Sequence, residues 1–465
     1  MVRSKKIAGL VLAAALAAGG LTAGAAGAAS AASSSCGGSG SVTTVNGTLA
    51  DGATYLLQCP PGAWNGTLYL YSHGYVTPGS ANPAQDVGDP ATAAWMLGHG
   101  YALAGSSYAS TGWAIAQALP DQIDTLNAFD GQYGTPETTV AWGHSLGGII
   151  TAGLIQDYPK RFAAALPMCG VLSGGVATWN TALDAEFAFQ KLIAPSVQTV
   201  NITNPTANLQ AAEVAGAQAQ QTPQGRARIA LAAALHNIPG HNDPSQPKPE
   251  PADWTGQQAN QYAAVAGLLR TAAFSWRQEA ESRAGGNPSW NTGVDYPAML
   301  RQSSVYKEVT ELYRKAGLRL RDDLTALNRA PRTAADPEAV AWMRHTSAFT
   351  GRLNHPQLNI HTTGDGLIPV QAESAYRRAA TAGGSAGLLR QAYVDGPGHC
   401  TFSTGESLAA VHALERRLAT GRWDTSPDTL NSAAQAEDPA AEARYVAYRP
   451  TAYPRPYDLA HGDKP

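Results

Sequence analysis

Thr138-Thr139-Val140-Ala141-Trp142-Gly143-His144-Ser145-Leu146-Gly147-Gly148-Ile149-Ile150 is the stretch whose reading decides the fold. Residues 138–142 are β-branched, small apolar and aromatic, the composition of a buried strand. Residues 148–157 have helical character, so the chain turns sharply between them. Gly143-x-Ser145-x-Gly147 sits on that turn. A serine there is lifted out of the strand end on a strained elbow, and small residues on either side let the backbone close up. The pattern occurs a second time, at Gly383-Gly384-Ser385-Ala386-Gly387. That copy follows a helix and precedes a strand, the wrong order for an elbow. Ser145 is therefore the expected nucleophile.

Outward from the elbow, strands and helices alternate. Strand-like runs cover residues 42–49, 54–59, 67–72, 101–107 and 161–168, with helices expected at 91–99 and 119–130. Such alternation implies a mainly parallel sheet with helices on both faces. The pattern breaks near residue 172. From there to 353 the signals are helical, with a Pro-rich loop at 239–251. Residues 305–328 read as one helix with Val309, Leu312, Leu320, Leu324 and Leu327 on one face. Strand signals resume at 358–362 and 389–394, with helices at 369–382 and 405–420. The expected organisation is a signal segment at 1–31, an α/β core at 32–171 and 354–420, a helical lid at 172–353, and an extended tail at 421–465.

A serine hydroxyl needs a base, a group that orients the base, and donors for the oxyanion. His399 lies in Asp395-Gly396-Pro397-Gly398-His399-Cys400, a loop just after the last strand, and is the expected base. Asp365 follows the preceding strand in Gly364-Asp365-Gly366-Leu367-Ile368-Pro369 and is the expected acid. Its rival reading is an N-cap for the following helix; Asp395 is the runner-up acid. His73 and His144 adjoin the site without the right geometry. His361 falls inside a strand, and His236, His241 and His345 fall in the lid. The oxyanion donors are expected to be backbone N–H groups of Leu146 and of Tyr75 or Gly74 in His73-Gly74-Tyr75.

The chain has 465 residues, 44% hydrophobic and 14% charged, with a formal net charge of −3. That supports a packed core and gives no basic surface for nucleic acid. Eleven His and four Cys form no C-x-x-C or H-E-x-x-H pattern, so no metal and no cofactor is expected. Arg3, Lys5 and Lys6 precede an apolar run at 7–18, then small residues with possible cleavage after Ala25, Ala28 or Ala31. This is the order of a secretory signal, too short for a membrane span. Ser33-Ser34-Ser35 before Cys36 is not a lipid-attachment pattern, so release without an anchor is expected. Export gives an even cysteine count meaning. Of three possible pairings, Cys36–Cys59 and Cys169–Cys400 are preferred, the first flanking a hairpin and each partner of the second following a core strand.

His73-Gly74-Tyr75, Gly143 to Gly148, Gly364 to Pro369 and Gly396 to His399, in this order, resemble the α/β-hydrolase superfamily. The resemblance implies an eight-stranded, mostly parallel sheet with a large lid between strands six and seven. Cys400 directly after His399 is similar to the tannase and feruloyl esterase group, in which a disulfide ties the histidine loop near the nucleophile. That group has Cys before its serine where this chain has His144, and Cys169 is the candidate substitute. The chain also resembles the secreted, Ala-rich esterases of actinobacteria. Together these readings lead to the expectation of a secreted serine carboxylic-ester hydrolase acting on a small-molecule ester, with an amidase or exopeptidase as alternative and a noncatalytic binding protein as a lesser one. Trp179, Phe187, Phe189, Tyr262, Phe274 and Trp276 in the lid are read first as core and second as an aromatic or apolar acyl pocket. An exopeptidase would draw on Glu186, Glu279 and Glu281 to hold a substrate amine.

Overall fold

A computed structural model describes residues 35–440 and 442–459. The expected signal segment lies outside the described residues. Nine strands form one sheet: β1 (Thr43–Thr48), β2 (Thr54–Cys59), β3 (Thr67–Ser72), β4 (Ala102–Ser106), β5 (Thr138–His144), β6 (Ala164–Met168), β7 (Gln357–Gly364), β8 (Leu389–Pro397) and β9 (Tyr445–Val446). Their order is β1-β2-β4-β3-β5-β6-β7-β8-β9. Strands β3 to β8 run parallel, while β1, β2 and β9 are antiparallel to their neighbours.

β3 shows why the sheet is buried on both faces. Its sequence alternates Leu68, Tyr69, Leu70, Tyr71, and all four side chains are buried. The leucines face the helices Ile115–Tyr133 and Leu146–Asp157, packing with Leu126, Phe129, Ile149 and Ile150. The tyrosines face the opposite layer with Trp142, Met96, Leu408 and Leu414. Each fully buried leucine contributes roughly 2 kcal/mol of apolar transfer. The alternation thus fixes the register, because a one-residue slip would exchange the two faces.

Between β6 and β7 the chain makes helices only, from Gly175–Leu192 to Pro337–Ser347. They bury an apolar core of their own, which includes Phe187, Phe274, Leu231, Leu235, Tyr296, Val309 and Leu327. Three expectations are corrected. The helix read at 305–328 is two, Tyr306–Lys315 and Leu320–Arg329. Gly317 between them takes φ +69°, a left-handed conformation that stops a helix. The 421–465 tail is not wholly extended: Pro427–Glu437 is a helix, started by Ser426 accepting from Thr429 N with proline in the first turn. Tyr445–Val446 then adds the ninth strand to the expected eight, antiparallel to β8. Among the described residues no helix is long and apolar enough to cross a membrane.

One residue of this helical insertion carries a stability prediction. Glu308, on Tyr306–Lys315, is 1% exposed. Oε2 accepts from Gln261 Nε2 at 2.9 Å, and Oε1 has no partner among the described residues. Burial pushes the carboxyl up to about 8 from 4.5. The folded state therefore holds the proton more tightly than the unfolded chain. The stability this gives is full below about 4.5 and is lost as pH rises through about 8. Glu308→Gln is expected to raise the unfolding free energy at pH above 8 by on the order of 2–4 kcal/mol, and by much less near pH 5. Thermal unfolding at the two pH values checks it; an unchanged or lower Tm at the higher pH contradicts it.

Candidate active site

β5 ends in the elbow. Ser145 takes φ +58° and ψ −121°, a conformation that costs a non-glycine residue about 1–3 kcal/mol. Its N–H donates to Met168 O at 3.0 Å, tying the elbow to β6. Gly143 and Gly147 are required by close approach, for a Cβ on either would run into Ser72 O. Leu146 opens the helix Leu146–Asp157, and first-turn N–H groups have no partner within their own helix.

The loops after β7 and β8 bring two residues to this serine. His399 Nε2 lies 2.8 Å from Ser145 Oγ, and His399 Nδ1 lies 2.6 Å from Asp365 Oδ2. The Asp365 carboxylate is buried. Its Oδ1 accepts from Leu367 N and Ile368 N, both at 2.9 Å. Burial alone would raise Asp365; the neighbouring His399 and His361 outweigh it and hold the carboxyl near 2, ionised. The N-cap reading fits less well, because the following helix begins only at Ala372 with Gln371 as its cap. Asp395 instead pairs with Lys248 at 2.9 Å on the surface. Ser385 bonds the backbone of Leu353.

A disulfide joins Cys169, at the end of β6, to Cys400, and a second joins Cys36 to Cys59. Cys169 and Cys400 also hold positive φ, +46° and +58°. The histidine loop is thereby clamped to the strand beside the elbow, and Cys400 Sγ comes to 3.4 Å from His399 Nε2. The loop after β3 abuts the serine from the other side. A Cβ on Gly74 would sit 3.4 Å from Ser145 Cβ. Tyr75 stacks on Trp276 of the helical insertion at 4.1 Å, and its hydroxyl donates to Glu279 Oε2 at 3.3 Å. Trp276 ends a single π-helical turn, Ala272–Trp276, a distortion common at functional sites. His144 turns away beneath the sheet edge, 3.1 Å from the Tyr71 hydroxyl, and burial pushes it down to about 4. His73 stacks on Tyr108.

Ser145 opens into a cavity of about 120 Å³. Trp113, Trp179, Phe189, Trp276, Leu269 and Ile368 form much of its wall. Phe187 and Phe274 belong to the apolar core of the insertion instead, and Tyr262 is not among the wall residues. Glu186 reaches the wall paired with buried Arg277 at 3.0 Å. Glu279 pairs with Arg283, and Glu281 accepts from Asn201 N at 2.9 Å. All three carboxylates are thus engaged within the protein.

The strained serine at a strand-to-helix turn, the histidine beside it and the strand order define an α/β-hydrolase. More narrowly, the chain belongs to the tannase-like family of unknown function (DUF6351), which matches residues 48–363. It is 29% identical over 433 residues to an o-phthalyl amidase of Xanthobacter agilis, covering 86% of this chain and 93% of that one. Among solved structures it is similar to feruloyl esterase B of Aspergillus oryzae, with 13% identity, TM-score 0.37, and 82% and 81% of the two chains covered. It is also similar to an acylaminoacyl peptidase of Pyrococcus horikoshii, with 11% identity, TM-score 0.40, and 84% and 43% covered.

Proposed function

We propose that this chain is a serine hydrolase that cleaves a carboxylic ester of a compact apolar or aromatic acid. The observation that carries the proposal is the continuous chain Ser145 Oγ–His399–Asp365 opening into an apolar cavity. In this reading Ser145 attacks the carbonyl carbon while His399 takes the hydroxyl proton. Asp365 holds the ring with Nδ1–H toward itself and Nε2 free to accept. The backbone N–H groups of Leu146 and of Tyr75 or Gly74 receive the oxyanion. The C–O bond breaks as His399 returns the proton to the leaving alcohol. Water, deprotonated by the same ring, then releases the acid. These residues complete the cycle without a cofactor. Two disulfides, which persist in oxidising compartments, support an exported protein.

An amide substrate is the second reading. It is favoured by the amidase relative, which aligns over nearly its whole length. An exopeptidase is less well supported, since Glu186, Glu279 and Glu281 already have partners.

The test sets p-nitrophenyl acetate, butyrate and benzoate beside the matching p-nitroanilides, wild type against Ser145→Ala. Loss of a nucleophile in such a triad costs about 10⁴–10⁶ in kcat. Ester turnover should fall by that factor. Dominant anilide turnover in the wild type would move the assignment to an amidase. Turnover that survives in Ser145→Ala would overturn the proposal.

A further inference from the structure

His361 lies on β7, four residues before Asp365, with no solvent contact. Its Nε2 is 3.0 Å from Ile368 O and 3.4 Å from Asp365 Oδ2. Its Nδ1 is 3.2 Å from Glu373 Oε1. Every atom that these two nitrogens meet is an acceptor, and two of the three are carboxylate oxygens. A neutral imidazole would aim a lone pair at one of them in a site that excludes water, a costly arrangement. Glu373 in turn accepts at Oε2 from Asn359 Nδ2 at 2.8 Å and Gln391 Nε2 at 2.6 Å, so its neighbours also suit the ionised form.

We propose that His361 is a positioning residue for the triad, a doubly protonated imidazolium that links Asp365 to Glu373 and holds Asp365 ionised and correctly turned toward His399. The inference rests on the Ser145–His399–Asp365 reading above. Charge arithmetic gives it purpose. Asp365 and Glu373 are both buried carboxyl groups, 1% exposed each. Without a cation between them each anion raises the proton affinity of the other and of His399. With His361 charged, both stay ionised, and the cluster carries one net negative charge. That charge is neutralised when His399 becomes imidazolium in the reaction. Around the cluster stand Tyr393, its register neighbour on β8, Tyr376 and Arg377 on the helix that carries Glu373, and His236, which faces Asp365. Burial pushes Tyr376 and Tyr393 up and His236 down, leaving all three neutral near pH 7. Arg377 is a cation, but it bonds Gln391 Oε1 at 3.4 Å and Tyr393 rather than either carboxylate. Burial by itself would strip the proton from His361, but Asp365 and Glu373 outweigh it and push the group up to about 10.

The test compares wild type, His361→Gln and the double variant His361→Gln/Glu373→Gln by kcat/KM for p-nitrophenyl butyrate from about pH 5 to 9. Removing a unit charge at this range moves a neighbouring pKa by about 1–3 units. His361→Gln should lower kcat/KM and move its acid limb up by about one pH unit or more, because the His399–Asp365 pair then takes its proton at higher pH. The double variant removes the stranded anion as well and should bring the limb back toward wild type. An unmoved limb in the single variant, or a double variant shifted further than the single, overturns the proposal. A second measurement does not depend on the variants folding. In wild type and Ser145→Ala labelled with ¹⁵N-histidine, both ring nitrogens of His361 should remain protonated beyond about pH 8. A His361 ring that loses a proton at about pH 6–7 overturns the inference whether or not Ser145 is the nucleophile. Surviving turnover in Ser145→Ala with a protonated His361 would instead locate the failure in the triad reading.

Discussion

Asp365→Asn is expected to lower kcat by about 10⁴-fold with KM little changed. The asparagine Oδ1 can still accept from Leu367 N and Ile368 N, so the loop keeps its shape. The Nδ2 amide must then face His399, where the carboxylate accepted at 2.6 Å. A donor there selects the other tautomer of His399, with the proton on Nε2, pointing at Ser145. The ring can then no longer take the serine proton. The cavity wall that binds the acyl group is untouched, so the loss falls on the chemical step. Pre-steady-state acylation by a p-nitrophenyl ester, with circular dichroism to show an unchanged fold, measures it. A loss below about tenfold would mean that Asp365 does not orient the base.

Removing the Cys169–Cys400 bridge is expected to have the largest effect on stability. Its partners are 231 residues apart, and closing so long a loop in the unfolded chain contributes about 5.5 kcal/mol in the chain-entropy account. The bridge also works in the folded site. His399 is the residue before Cys400, on a loop whose next anchor toward the elbow is this bond. The paired Cys169→Ser/Cys400→Ser variant should therefore lose both urea resistance and kcat. Cys36–Cys59 spans only 23 residues and lies at the far end of the sheet, between the start of the described chain and β2. Its removal should cost about 3 kcal/mol and leave kcat unchanged. Urea unfolding and steady-state kinetics on the two double variants separate the roles. Equal kcat in both would show that the Cys400 bridge only stabilises.

The elbow, the helical insertion and both disulfides were legible because each rests on local chemistry: a strand ending in Gly-x-Ser-x-Gly, a loss of strand signals, one cysteine pair flanking a hairpin and another just beyond core strands. Other features needed the third dimension. His361 read as an interior strand residue, which it is; nothing in the sequence shows that Glu373, on the following helix, comes round to its other nitrogen. The aromatics of the insertion look alike in sequence, yet Trp179, Phe189 and Trp276 line the cavity while Phe187 and Phe274 fill the core of the insertion. Phe187 and Phe189 are two positions apart on one helix, about 200° around its axis, so they face opposite sides. The Pro427–Glu437 helix did have a signal, Ser426-Pro427-Asp428, hidden in a tail rich in Ala, Asp and Pro. The β9 strand is two residues long, and pairing with β8, not propensity, makes it a strand.

The central claim is that Ser145 carries the acyl group. A fluorophosphonate that mimics the ester, followed by peptide mass mapping, tests it most directly. The account predicts one adduct per chain, on the peptide holding Gly143-His144-Ser145-Leu146-Gly147, with hydrolysis lost in proportion and no labelling of Ser145→Ala. Labelling at Ser385 or elsewhere, or full ester turnover by a chain labelled at Ser145, would contradict it.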